Sequence, residues 1–282
     1  MNNDTAVALA SLNNAFYGAY ADSFASTRRS AWPGWIRCAQ QLRACWGDDD
    51  PRLSGIVPLR VLDVACGTLR FERYLRVAFP EADLRVTALD SCPQLVREDG
   101  LEDVAIDYHC VDIVRGLLGQ AAQTDAWLGV PAGAFDIVAC FGFFHHVPGA
   151  ANRDLLVDAL MRARAPKGAL AVSLWRFMDD EGLAAKAHVA HEQAKRALPS
   201  QGALFDFADL EPGDWIIGWQ GRPGAYRYCH SFDDGDVALL RSRMACTRDI
   251  EVTCFRSDGR THSLNEYLMA YSAAVLGRAM QS

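Results

Sequence analysis

Five apolar runs alternate with helix-like stretches between residues 59 and 175, and this alternation constrains the fold more than any other feature. A continuous apolar run indicates a strand that is covered on both faces, and such strands form parallel sheets with helical crossovers. We therefore predict an α/β fold with a doubly wound, mostly parallel sheet. The five runs are "LRVLDVAC", "LRVTALD", "IDYHCVD", "FDIVACFG" and "GALAVSLW".

The segments before and after these runs have their own patterns. Residues 1–50 predict a leader of two helices, the second beginning at Pro33, because apolar residues recur at steps of three and four. "GDDDPRLSG" has the turn residues of a linker, so the main domain is placed at 58–282. The spacing also predicts a helix over "CPQLVRE", an insertion at 178–230, and a C-terminal hairpin with a short turn at Ser257-Asp258-Gly259. The apolar faces of the leader helices are Leu9, Leu12, Phe16, Tyr20 and Phe24, then Trp35, Cys38, Leu42 and Cys45.

Composition bounds the class of protein. The chain has 282 residues, of which 50% are hydrophobic and 22% charged, as in soluble globular proteins. Its formal net charge of −7 is unfavourable for a broad nucleic-acid surface. The nine cysteines form no C-x-x-C pair, so neither a disulfide framework nor a zinc site is expected, and no metal is predicted. The N-terminus lacks the pattern of a signal peptide, which predicts a cytoplasmic protein.

The stretch "VLDVACGTLRF" joins the first apolar run to a helix. Small residues at Ala65 and Gly67 let backbone N–H groups approach a ligand at the N-terminus of that helix. The dinucleotide fingerprint G-x-G-x-x-G is not met, which argues against a dehydrogenase. An ordinary tight turn between strand and helix is the alternative.

Acidic residues end the next two runs as well. Asp90 closes "RVTALD", where a carboxylate can accept hydrogen bonds from both hydroxyls of a ribose. Asp112 closes "IDYHCVD", where it can accept a hydrogen bond from the amine of an adenine. Either acid alone could be a loop residue or a helix N-cap. With Asp63, three acids end successive strands at the edge where open parallel sheets bind ligands, which favours a binding site.

These segments resemble the class I S-adenosylmethionine-dependent methyltransferases between Arg60 and Trp175. "LDVACGT", "ALDSCPQL", "VD", "FDIVACFGFFHHV" and "APKGALAVSLW" follow in the family's order. The resemblance implies a Rossmann-like, seven-stranded sheet with a C-terminal antiparallel hairpin, a helical leader over the site, and an insertion after the fifth strand. It assigns the Asp63 turn to the methionine end of the cofactor, Asp90 to its ribose and Asp112 to its adenine. The cofactor-binding residues expected from it are Tyr20, Arg28, Asp63, Ala65, Gly67, Asp90, Ser91, Asp112, Ile113 and Phe141.

Two features within this region leave alternatives open. Leu69 stands where relatives usually have a third glycine, so a catalytically silent binding domain of the same fold is one alternative. His145 follows the fourth strand, near where a methyl acceptor would lie, and a histidine there can act as a general base. It can equally pack the floor of the pocket.

Three further segments resemble the tRNA wobble-uridine carboxymethyl methyltransferases. Besides the leader, "DWIIGW" runs from Asp214 to Trp219 and "RYCHSF" from Arg227 to Phe232, although Ala31 replaces a common proline. The leader match rests on Tyr20, Phe24, Ser26, Thr27, Arg28, Trp32 and Pro33.

This second resemblance implies a carboxylate on a modified tRNA uridine as the acceptor, with tRNA as a partner and a small activator subunit in eukaryotic members. An ionised carboxylate needs no base, so we expect in-line transfer dominated by positioning, without a metal or a covalent enzyme intermediate. Arginine pairs with carboxylates in a bidentate manner. The alternative acceptor is a small molecule with a carboxylate or hydroxyl group. Arg28, His145, Arg227 and His230 are the candidate catalytic residues.

Overall fold

The computed structural model describes residues 1–27, 30–119, 125–199, 205–258 and 263–272. Seven strands form one sheet in the order β3-β2-β1-β4-β5-β9-β8, and β6 pairs with β7 in a separate antiparallel sheet. The strands are β1 (Leu59–Val64), β2 (Leu84–Asp90), β3 (Ala105–Cys110), β4 (Phe135–Cys140), β5 (Arg164–Trp175), β6 (Asp214–Gly218), β7 (Tyr226–His230), β8 (Ile250–Ser257) and β9 (Asn265–Ser272).

The large sheet confirms the predicted Rossmann-like architecture. Strands β1 to β5 pair in parallel, and β9 runs antiparallel between β5 and β8. Every residue of β4 is buried, as its continuous apolar run predicts. Strand β3 differs because it is an edge strand, and none of its residues is fully buried. The carboxyl ends of β1, β2 and β4 consequently lie side by side at one edge.

Helices cover both faces of this sheet. Helix α2 begins at Pro33 as predicted, and its buried face packs in one cluster with α3 and β9. No helix among the described residues is long and apolar enough to cross a membrane. The helices are α1 (Asn3–Ser26), α2 (Pro33–Trp46), α3 (Arg70–Ala78), α4 (Ile113–Leu118), α5 (Ala150–Ala163), α6 (Glu181–Ala197) and α7 (Asp234–Met244).

The insertion between β5 and α7 carries α6 and the small sheet. Helix α6 packs on β6, and the leader helix α1 packs on β7. Asn13 of α1 accepts a hydrogen bond from the Tyr228 N–H at 2.7 Å, and its own amide donates to the Tyr228 carbonyl at 3.2 Å. The first and the later parts of the chain therefore close over the same edge of the large sheet.

Two local predictions differ from the structure. "CPQLVRE" forms only a short 3-10 turn, Pro93–Leu95, because the backbone is already extended at Val96. The connection between β8 and β9 runs from Asp258 to Leu264 and is longer than the predicted turn. Gly259 of that predicted turn lies outside the described residues.

Candidate active site

A cavity of about 610 Å³ lies at the carboxyl edge of the parallel strands. Pockets of this size accommodate small organic ligands. The leader contributes its cover, with Tyr17 from α1 and Trp32 from the start of α2. Ten of the predicted site residues line it: Asp63, Ala65, Gly67, Asp90, Ser91, Asp112, Ile113, Phe141, His145 and Arg227.

The turn between β1 and α3 has an unusual backbone. Ala65, Gly67 and Leu69 have φ angles of 62°, 55° and 55°, in the left-handed region that disfavours side chains. Leu69 is fully buried in the core, and that packing offsets a backbone cost on the order of 1 kcal/mol. A Cβ atom at Gly67 would meet nothing within 4 Å, so the space above the turn is open to the cavity. The site of the missing third glycine therefore keeps the left-handed backbone with leucine.

Asp90 connects the end of β2 to this turn. Its carboxylate accepts hydrogen bonds from the Gly67 N–H at 2.9 Å and the Cys92 N–H at 2.8 Å. Burial raises the pKa of Asp90, and these backbone N–H groups oppose the rise. The carboxylate thus faces the cavity with a fixed orientation.

Asp112 is the N-cap of α4. One carboxylate oxygen accepts from the Arg115 N–H at 2.9 Å, and the other accepts from the Asn14 side chain at 2.7 Å. The N-cap alternative for this residue is therefore correct, and it is compatible with a place in the cavity wall. The Asn14 contact also ties α1 to the cofactor side of the site.

On the other side of the cavity, His146 links α1 to β7. Its Nδ1 lies 3.1 Å from the Tyr228 carbonyl oxygen and 3.2 Å from the Asn13 side-chain amide nitrogen. Its Nε2 lies 2.7 Å from the Tyr17 hydroxyl. Burial, with a smaller contribution from Arg227, lowers the pKa of His146 to about 3. His146 is therefore neutral at physiological pH and too weakly basic for general-base catalysis.

Arg227 is a buried cation at the cavity wall. It is 4% exposed, and its guanidinium lies 5.0 Å from the ring centroids of both Phe16 and Trp219. In the part of the chain that the structure describes, its Nε and Nη1 atoms have no hydrogen-bond partner. Burying a charge without a counterion costs free energy. A buried guanidinium of this kind at a cavity wall therefore indicates a binding site for an anionic ligand.

Two predicted residues are placed elsewhere. Tyr20 does not line the cavity, because α1 departs from helical geometry there and the ring packs 5.3 Å from Phe16. His230 is also outside the cavity wall, 2.8 Å from Asp214 and 3.1 Å from Asp236. Arg28 lies outside the described residues.

Residues of the "DWIIGW" and "RYCHSF" segments are joined by hydrogen bonds. Asp214 accepts hydrogen bonds from the Tyr228 hydroxyl at 2.7 Å as well as contacting the His230 ring. Trp219 donates to Ser23 of α1 at 3.1 Å. The shared "DWIIGW" and "RYCHSF" segments thus pair as β6 and β7 and position Arg227 against the leader.

Several cavity residues were missed by the sequence reasoning. Asn13, Asn14 and Tyr17 come from α1, and Trp32 covers Gly142, where a Cβ atom would lie 2.9 Å from its ring. The sequence did offer one indication, because Asn13 follows the apolar residue Leu9 by one helical turn and so shares its buried face. That pattern indicates a buried polar group but not its distant partner.

A metal is a poor fit here. His145, His146 and Cys229 place three possible ligand atoms within 4.8 Å of one another among the described residues. However, both ring nitrogens of His146 are engaged, and the Arg227 charge acts directly on that ring. The arrangement suits an organic anion better than a metal cation.

Comparison with known proteins agrees with this geometry. Residues 62–172 match a family model described as a methyltransferase domain. No curated protein matches the chain. Residues 62–172 are therefore similar to a methyltransferase domain, which agrees with the predicted cofactor, S-adenosylmethionine.

Several solved structures resemble this chain at low sequence identity. A Burkholderia thailandensis 1,6-didemethyltoxoflavin-N1-methyltransferase with bound S-adenosylhomocysteine is 16% identical, covering 95% of this chain and 88% of its own, with a TM-score of 0.49. An amino pentose methyltransferase from Micromonospora echinaspora is 16% identical, covering 90% and 97%, with a TM-score of 0.49. A Methanosarcina mazei S-adenosylmethionine-dependent methyltransferase is 14% identical, covering 76% and 92%, with a TM-score of 0.49.

Proposed function

We propose that this chain is an S-adenosylmethionine-dependent methyltransferase whose acceptor is a carboxylate held by Arg227. The observation that carries the proposal is the buried guanidinium at the cavity wall, with two nitrogen atoms unpartnered among the described residues. A carboxylate matches this fork of donors in shape and charge.

The cofactor side of the cavity fits S-adenosylmethionine. The open space above Gly67 leaves room for a ligand against the backbone turn, and Asp63 lies on the same wall. Asp90 and Asp112 follow along the sheet edge in the order expected for ribose and adenine. When bound, the cofactor supplies an activated methyl group on a sulfonium, a leaving group that needs no protonation.

The acceptor side then works by positioning. An ionised carboxylate already has a nucleophilic oxygen, so no base is required, which agrees with a neutral His146. A C–O bond forms as the S–C bond breaks, and the products are a methyl ester and S-adenosylhomocysteine. Arg227 holds the anion, and the leader helices line the same cavity.

Two sources of carboxylate are distinguished by experiment. The pairing of the two late motifs around Arg227 supports a carboxymethyl group on a tRNA uridine, with or without an activator subunit. The covered cavity and the net charge of −7 support a small acid. A hydroxyl acceptor would need a general base, and the candidate for that role is His145 at the cavity wall.

The test uses methyl-labelled S-adenosylmethionine with bulk tRNA and, separately, with a panel of small carboxylic acids. We expect label that mild alkali releases as methanol, which is diagnostic of an ester. Label in RNA identifies the tRNA source, and label in the acid panel identifies the small acceptor. Alkali-stable label in either arm would contradict the carboxylate assignment.

Cofactor binding is measured independently by calorimetry with S-adenosylhomocysteine. We expect binding that Asp90→Ala abolishes, and no change in the thermal midpoint with a nicotinamide cofactor.

Arg28→Ala should lower turnover without unfolding the chain, as the leader resemblance implies. Absence of S-adenosylhomocysteine binding would instead support the silent binding domain.

A further inference from the structure

Two buried carboxyl groups flank the turn between β1 and α3. Asp63, near the end of β1, is 3% exposed and reaches the cavity. Glu72, in the first turn of α3, is 0% exposed and does not line the cavity. Neither oxygen of Glu72 has a hydrogen-bond donor of ordinary geometry among the described residues. The side chains of Asp63 and Glu72 influence each other's pKa through a direct side-chain interaction.

Few cations face this pair. Asp63 is influenced by Glu72, Asp90 and Arg70, and Glu72 by Asp63 and Arg73. Both guanidinium groups also bond to backbone carbonyls. Arg70 donates to the Ser30 carbonyl at 2.8 Å. Arg73 donates to the carbonyls of Thr68 and Leu69 at 2.7 and 3.0 Å.

Two adjacent buried carboxylates cannot both be ionised at low cost. Burial raises the pKa of Asp63, and the neighbouring Glu72 raises it further. Burial likewise raises the pKa of Glu72. A single shared proton satisfies both groups, because a protonated carboxyl donates to its ionised neighbour. The pair then carries one negative charge instead of two.

We infer that Glu72 is a positioning residue that keeps a proton on the Asp63–Glu72 pair while the site is empty, and that the arriving ammonium group of the cofactor displaces this proton into solvent. This inference rests on the proposed function, because it needs a cationic ligand at Asp63. The cofactor's ammonium then balances the second negative charge. Cofactor affinity therefore rises with pH over the range in which the empty pair is protonated.

The test is calorimetry of S-adenosylhomocysteine binding to the full chain between pH 5.5 and 7.5. S-adenosylhomocysteine carries the ammonium group without the sulfonium, so it isolates this charge. Parallel titrations in two buffers of different ionisation enthalpy give the number of protons released. We expect up to about one proton per ligand, with affinity rising by as much as about tenfold per pH unit.

Variants separate the two roles. Glu72→Gln should bind without proton release and with affinity independent of pH, because its amide N–H donates permanently to an ionised Asp63. Asp63→Asn should also lose the release but bind more weakly at every pH. Glu98→Gln, at an exposed glutamate, is the matched control and should behave as the wild type.

The outcomes are distinct. Binding of S-adenosylhomocysteine by the wild type without proton release would overturn this inference and leave the proposed function intact, even if a variant fails to fold. Release that persists in Glu72→Gln would also overturn it, because the proton would then come from another group, such as Asp90. Absence of any binding would overturn the proposed function itself.

Discussion

Two neighbouring regions each bury an arginine, but only one of them surrounds its arginine with carboxylates. In the acidic layer at the start of α7, Arg176 is 7% exposed and lies 3.0 Å from Asp179, 2.7 Å from Asp234 and 3.3 Å from Glu266. At the cavity wall, Arg227 is 4% exposed and forms no ion pair among the described residues. Burial is similar, so the difference lies in the surrounding carboxylates.

The histidines of the same two regions repeat this contrast. His230 belongs to the acidic layer, where burial lowers its pKa but hydrogen bonds to Asp214 and Asp236 raise it above the ordinary value. His146 belongs to the cavity wall, where burial and Arg227 lower its pKa. A cation surrounded by carboxylates supports the fold, whereas one without them is available to a ligand. Four predictions test this comparison.

The largest effect is expected from Arg227→Met. Methionine keeps an apolar chain between Phe16 and Trp219 but removes the anion partner, so kcat/KM for the carboxylate acceptor should fall roughly 100-fold. The thermal midpoint should stay equal or rise, because an unpaired buried charge is removed. Arg222→Met, at an exposed arginine over the Tyr20 ring, is the control. Full turnover in Arg227→Met would show that Arg227 does not bind the acceptor, and would contradict the difference proposed between the two regions.

The second effect concerns the acidic layer. Arg176→Met removes the shorter of two ion pairs to the buried Glu266 carboxylate, leaving only Arg256 at 3.7 Å, so the free energy of unfolding in urea should fall by ~2 kcal/mol. This loss is smaller than that expected when both partners of an ion pair are buried, because Asp234, which also pairs with Arg176, has an exposed side chain. Turnover per folded molecule should be unchanged. Loss of turnover without loss of stability would place Arg176 in the active site instead.

The third effect is on acid stability. Because the pKa of His146 is about 3 in the folded chain and near 6.5 when unfolded, the unfolded chain binds the extra proton. Stability from neutral His146 is therefore present above pH 6.5 and lost as the pH falls toward 3. Between pH 6 and 5 the loss is about 1 kcal/mol, and His146→Gln should lack it. Equal slopes in both proteins would show that the ring is not held neutral.

The smallest effect has the opposite sign. The pKa of His230 is raised in the folded chain, so its stabilising contribution is complete below about pH 6.5 and is lost as the pH rises through the folded value. His230→Gln should flatten the decline in unfolding free energy above pH 6.5. If His146→Gln and His230→Gln change the slope in the same direction, the contrast between the regions is not electrostatic.

The parts of the site that the sequence predicted are those held by local hydrogen bonds. Asp112 caps the Arg115 N–H three residues later, and Asp90 accepts from the Cys92 N–H two residues later. Such contacts follow from the end of a strand and the start of the next turn. The alternation of strands and helices then sets the sheet order, so the three acids meet at one edge.

The acceptor side depended on contacts between distant segments. Asn13 and Tyr228 are 215 residues apart, and Tyr17 and His146 are 129 apart. The family resemblance implied Tyr20 for the site, but the structure places Tyr17 of α1 at the cavity instead. Spacing along a helix gives its buried face but not what that face meets.

The sequence by itself therefore determined the class of sheet, the edge where the cavity lies and the acids along that edge, because each depends on neighbours within one strand–helix unit. Only the tertiary structure decided which arginine and which histidine are surrounded by carboxylates. Arg176 and Arg227 are the same residue in chemistry and nearly equal in burial. Their roles differ because electrostatic energy depends on distances in space, and the partners of a buried charge come from wherever the fold brings them.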